Sequence, residues 1–155
     1  MPAPSNFKMK YVITTRYLST PSKRRPGTLI APSVKFLVAH DTGNPGSTAA
    51  GNVKYYESSK NAASQSAHLF VDDREIIECI PALQGAPAEK AWHVRESVQV
   101  DNQLYGANAN EAALGGDCYG VRIDADEAFR KYVWGAYACF KFGLEASRAV
   151  GGTRF

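Results

Sequence analysis

The stretch Val34–Gly46, VKFLVAHDTGNPG, constrains this chain more than any other. Five of the six residues from Val34 to Ala39 are apolar, the length of one buried β-strand. His40, Asp41, Thr42 and Asn44 then arrive together, and Asn44-Pro45-Gly46 reads as a turn. A buried strand that carries a histidine to its C-terminal lip and passes into a polar loop is how α/β folds present reactive groups. A strand that ends in a structural histidine bonded to its own loop would read the same, so the rest of the chain has to decide.

Upstream, Tyr11–Thr15 reads as a short edge strand and Thr20–Pro32, with Pro21, Pro26 and Pro32, as an extended arm. Within that arm Lys23-Arg24-Arg25 reads as a solvated loop. Downstream, Ser47 is the expected N-cap of a helix over residues 48–58, with Val53 and Tyr56 on one face. In SAHLFVDD, Ala67, Leu69 and Val71 alternate with His68, Phe70 and Asp72, the period of a strand. Asp72-Asp73-Arg74 turns the chain, and Glu75–Ile80 returns as the second arm of a hairpin that Pro81 stops. Residues 82–92 and 101–117 read as loops, and Cys118–Ile123 as the last strand. From Asp124, with Glu127 at the capping-box spacing, Phe129, Val133, Ala136, Phe140 and Leu144 form the apolar stripe of a long helix. The succession predicts an α/β fold, a central mixed β-sheet flanked by helices, over residues 34–155 behind an N-terminal arm at 1–33.

A chain of 155 residues suits one domain. Its net charge of +3 is mild and lacks the dense Lys/Arg stripe of a nucleic-acid binder, so no nucleic-acid partner is expected. The three cysteines, Cys79, Cys118 and Cys139, follow no metal spacing, and their odd number argues against a disulfide framework. No segment approaches the ~20 apolar residues of a membrane span. The N-terminal MPAPSNFKMK lacks the hydrophobic segment of a Sec signal peptide, so synthesis in the cytoplasm is the expectation.

The three histidines fall in comparable places: His40 ends a strand, His68 lies in the hairpin, and His93 follows Trp92 where a loop meets a strand. Histidine is the commonest metal ligand and the usual acid or base near neutral pH, so the three point to a shared pocket. With these residues in view, VAHDTGNPGSTA, then SAHLFVDDREIIECIP, then AWHV resembles the zinc-dependent N-acetylmuramoyl-L-alanine amidases of phage endolysins and bacterial autolysins. The fold of those enzymes is shared with peptidoglycan recognition proteins.

The resemblance implies a groove that takes the glycan and stem peptide of peptidoglycan at the bacterial cell wall. It also implies a zinc ion that polarises the scissile carbonyl and activates water. In that pattern His40 matches the first zinc ligand. Thr42, Asn44, His68 and His93 fall at positions that line the groove, and Trp92 is a groove wall for a sugar ring. Two departures stand against full activity. The run Ala113–Gly120, ALGGDCYG, lacks the Glu that many relatives carry on the last strand, and Asp117 is the nearest carboxylate, hence the candidate base. The run Val150–Phe155, VGGTRF, lacks the histidine and the later Asp or Cys that complete the metal site in relatives. The expectation is therefore an amidase domain without its C-terminal segment, impaired or inactive, or else a non-catalytic peptidoglycan-binding module of the same fold. A cysteine hydrolase using Cys79 or Cys118 is the remote third reading.

Overall fold

The computed structural model describes residues 12–30, 34–41, 44, 46–72, 74–85 and 87–118. Strands β1 (Ile13–Thr15), β2 (Phe36–Asp41), β3 (Leu69–Val71), β4 (Ile76–Glu78) and β7 (Ala113–Cys118) form one mixed sheet. Its order is β1-β4-β3-β7-β2. β3 and β4 pair antiparallel as the expected hairpin, whereas β1 on β4, β3 on β7 and β2 on β7 are parallel. One helix, α1 (Ala49–Ser58), connects β2 to the hairpin. A small hairpin, β5 (Gln99–Val100) with β6 (Gln103–Leu104), and a 3-10 turn over Gly106–Glu111 precede β7. Asp101 and Asn102, both with positive φ, make the tight turn of that hairpin, a conformation Asn and Asp tolerate better than most residues.

The strand prediction at 34–39 holds with a shift of two residues, so His40 lies inside β2 one residue from its end. The helix at 48–58 also holds, but its cap is Thr48 rather than Ser47: the Thr48 hydroxyl accepts from the Gly51 N–H at 3.0 Å. Residues 101–117 are not a loop throughout. They contain β6, the 3-10 turn and all but the last residue of β7. Apolar alternation is absent from ALGGDC, where Gly115 leaves room for a neighbouring ring instead of packing a side chain, which is why the pattern misses this strand. The strand expected at 118–123 therefore begins earlier, and its remainder, like the helix from Asp124, lies outside the described residues.

β3 and β4 are buried at every position, so the alternation along SAHLFVDD does not separate an inner from an outer face. One core cluster joins Leu18, Val53, Phe70, Ile77 and Ile80, with Tyr56 edge-on to Phe70 at 4.9 Å between ring centroids. A second gathers Phe36, Ala112 and Ala113 under Val98, Val100 and Tyr105, which brings the β5–β6 hairpin against the start of β2.

Among the described residues, the buried carboxylates Asp72 and Glu78 are both engaged. Asp72 accepts from the Ala49 N–H with one oxygen and from the Arg74 and Glu75 N–H groups with the other, each at 2.8 Å. One carboxylate thus fastens the start of α1 to the hairpin turn. Glu78 accepts from four backbone N–H groups, those of Ala82, Leu83, Gln84 and Gly85, and from the Tyr17 hydroxyl at 2.9 Å. Burial, then the charge of Glu78, pushes the Tyr17 hydroxyl far up, so it stays a donor.

The basic cluster is the solvated loop expected only at Lys23, which is exposed; the two arginines turn inward. Arg24 is 3% exposed, donates to the Ser59 and Gln65 carbonyls and to the Ser59 hydroxyl, and lies 4.3 Å over the Tyr56 ring. Arg25 forms a two-pronged pair with Glu89 at 2.7 and 2.8 Å. A planar guanidinium can satisfy several carbonyls at once and stack on a ring, which allows burial where an isolated cation would be costly.

Candidate functional site

β2, β7 and β3 lie side by side, and one histidine belongs to each end of this trio. His40 is on β2. His68 immediately precedes β3, and its N–H donates to the Gly115 carbonyl on β7 at 3.0 Å. His93 comes from the long connection after β4, and its ring crosses β7 between the other two. Its centroid is 5.2 Å from that of His40 and 5.4 Å from that of His68, with both contacts edge-on.

The seat for His93 is a missing side chain. A Cβ at Gly115 would stand 2.5 Å from His93 Nδ1 and 2.7 Å from Cε1, closer than real atoms approach. The His93 backbone is held by Asn110, whose Oδ1 accepts from the N–H groups of His93 and Val94 at 2.8 and 2.9 Å. Asn110 Nδ2 donates back to the Val94 carbonyl at 3.0 Å. His93 Nε2 lies 3.3 Å from the Ala113 carbonyl, and Nδ1 lies 3.0 Å from His40 Nε2.

His68, expected among the groove residues, has no exposed surface. Its Nδ1 accepts from the Gly115 N–H at 3.0 Å and its Nε2–H donates to the Glu89 carbonyl at 2.7 Å. Two backbone groups therefore fix one neutral tautomer and leave no nitrogen for a substrate. Burial pulls its pKa down to about 4. Burial, then the neighbouring imidazoles of His68 and His40, pulls His93 to about 3. Burial alone lowers that of His40, which is half-buried. In all three rings burial favours the uncharged form, and the nitrogens of His68 are already committed to backbone groups.

The other expected residues are more scattered. Asp117 is the register partner of His40 across the β2–β7 pair. Trp92 is half-buried, and one face of its indole is covered by the Lys90 ammonium at 3.8 Å, itself paired with Glu111 at 2.8 Å. Asn44 is exposed, and its carbonyl accepts from Ser47. Thr42 lies outside the described residues. Cys79 is buried, with its thiol donating to the Ala67 carbonyl, the setting of an inert structural cysteine. Sequence reasoning missed Gly115, Asn110 and the Lys90–Glu111 pair. A glycine inside a strand does mark close approach of another group, but with 113–117 read as loop that signal carried no meaning.

Among the described residues no three His, Cys, Asp or Glu side chains gather as a metal's ligand set. His40 and His93 bring two nitrogens together, and His68 has committed both of its own. A stable zinc site needs at least three protein ligands, so the described residues alone do not fit one. No helix among the described residues is long and apolar enough to cross a membrane.

Comparison with solved structures finds this architecture in several known proteins. A mutant endolysin from Bacillus subtilis superimposes with a TM-score of 0.65 at 24% identity, covering 89% of this chain and 78% of that one. The structure of PlyL gives 0.62 at 19% identity over 88% and 75% of the two chains. Staphylococcus aureus hydrolase AmiA, solved with its ligand, gives 0.57 at 21% over 94% and 58%. At these identities the likeness establishes the fold. No curated protein matches the sequence. The model of one family, described as N-acetylmuramoyl-L-alanine amidase, matches residues 31–137, a span that holds all three histidines, Gly115 and Asp117. This chain belongs to the N-acetylmuramoyl-L-alanine amidase family.

Proposed function

We propose that this protein binds peptidoglycan at the bacterial cell wall and acts on the amide between N-acetylmuramic acid and L-alanine, with catalysis weakened by the lack of a glutamate on β7. The observation that carries the reading is the His40–His93 pair, two neutral imidazoles at 3.0 Å near the end of β2, in a chain of an amidase family. Amide hydrolysis requires a group that polarises the carbonyl, an acceptor for the proton of water, and donors for the developing oxyanion. His40 is the imidazole assigned to the reacting centre, and it is the position that matches a zinc ligand in the family. Asp117, its register partner, is the assigned proton acceptor. Trp92, whose other indole face is not covered by Lys90, is the assigned wall for a sugar ring, with Thr42 and Asn44 contacting substrate beyond β2. His68 is assigned a supporting role, since its nitrogens hold β7 and the Glu89 carbonyl in place.

The lack of a glutamate along Ala113–Cys118 supports a second reading, a murein-binding module without turnover. Purified cell walls separate the two. Release of free stem peptide, lost in His40→Ala, is the outcome expected of a residual amidase. Retention on insoluble peptidoglycan without release supports the binding module, and neither retention nor release rejects both.

A further inference from the structure

We propose that His93 is a positioning residue that holds His40 in a single tautomer, with the proton on Nε2 and the lone pair on Nδ1. The Ala113 carbonyl can only accept, so His93 Nε2, 3.3 Å away, is the nitrogen that carries hydrogen. A neutral imidazole has one N–H, and His93 Nδ1 is therefore a lone pair. That lone pair faces His40 Nε2 at 3.0 Å and has to be met by a donor, which places the His40 proton on Nε2. The lone pair of His40 is then on Nδ1, the atom left for whatever electrophile the site handles.

His93 is built to act on its neighbour rather than on substrate. Asn110 clamps the backbone of His93 and Val94 with bonds of 2.8 to 3.0 Å, Ala113 orients the His93 ring, and Gly115 leaves the space in which the ring lies. All three belong to the single stretch 110–115, so the 3-10 turn and β7 determine the state of a side chain on β2. The inference adds to the function proposed above by assigning the ring atom His40 presents, and its test needs neither murein nor turnover.

The full chain, labelled with 15N in its histidines, is examined by NMR at neutral pH. The expected result is a scalar coupling across the hydrogen bond between His40 Nε2 and His93 Nδ1, with a His40 Nε2 proton protected from solvent exchange. In His93→Phe both signals should be lost. In His93→Gln, whose amide can donate to Ala113 and accept from His40 with similar spacing, the protected proton should return. A His40 ring protonated on Nδ1 in the unaltered protein would overturn the proposal even if a variant failed to fold. So would a protected His40 proton that persists in His93→Phe. Added zinc that engages His93 Nδ1 in the unaltered protein would overturn it as well, because the two nitrogens would then face a cation rather than share a proton.

Discussion

At the scale of single residues, the site depends on what is absent at position 115. Because a Cβ there would meet the His93 ring at 2.5 Å, Gly115→Ala should displace the ring and cost about 1–3 kcal/mol, read from urea denaturation. The imidazoles also make stability depend on pH. His68 and His93 ionise at about 4 and about 3 in the folded protein, against an ordinary value near 6.5 when unfolded. Between 6.5 and those values the unfolded chain takes up protons that the folded chain refuses. Their contribution is thus fully present above pH 6.5 and declines as pH falls, by up to about 1.4 kcal/mol per pH unit for each group. Melting temperature followed from pH 7 to 4 should drop steeply. In His68→Gln, whose amide can still meet the Gly115 and Glu89 backbone groups, the slope should be shallower.

At the scale of elements, two buried carboxylates decide how the secondary structure is joined. Glu78 gathers the N–H groups of residues 82–85 into a loop that no regular structure supports. Glu78→Gln turns an amide hydrogen toward these donors, so a loss of about 1–3 kcal/mol is expected. Faster hydrogen exchange at the Ala82–Gly85 amides would distinguish loosening of this loop from general destabilisation. Asp72 reaches from the hairpin turn to the first N–H of α1, beside the Thr48 cap. Asp72→Ala should cost about 1–2 kcal/mol, with exchange rising in the first turn of α1 while its last turn, held by Arg24 at Ser59, stays protected.

At the scale of the whole molecule, the sheet order β1-β4-β3-β7-β2 matters most for function, because it inserts β7 between the two strands that flank the histidine row. The arm at 18–25 is integral to that arrangement. Arg25 binds Glu89, whose carbonyl accepts a hydrogen bond from His68 Nε2–H, so the arm braces the site. Arg25→Ala should therefore lower thermal stability and, in a cell-wall retention assay, weaken binding less than a change at Trp92 does. That ordering would place the arm in support of the groove and Trp92 on its surface.

The amino-acid sequence by itself determined the local elements whose residues carry their own signal. These are the apolar run of β2 with the histidine near its end, the helix after the Pro-Gly turn, and the hairpin ending at Pro81. Their signals are short-range, set by period, capping and turn chemistry. The family was legible too, because three separated motifs keep their order. The tertiary structure alone decided that Ala113–Cys118 is a strand, that His68 is walled in while His40 and His93 meet, and that Arg24 is buried. Each of these depends on partners far along the chain: Gly115 serves His93, Asn110 grips it, and Ser59 and Gln65 receive Arg24. A glycine or an arginine has the same local character whether it stands in solvent or beneath a ring, and only long-range packing distinguishes the two.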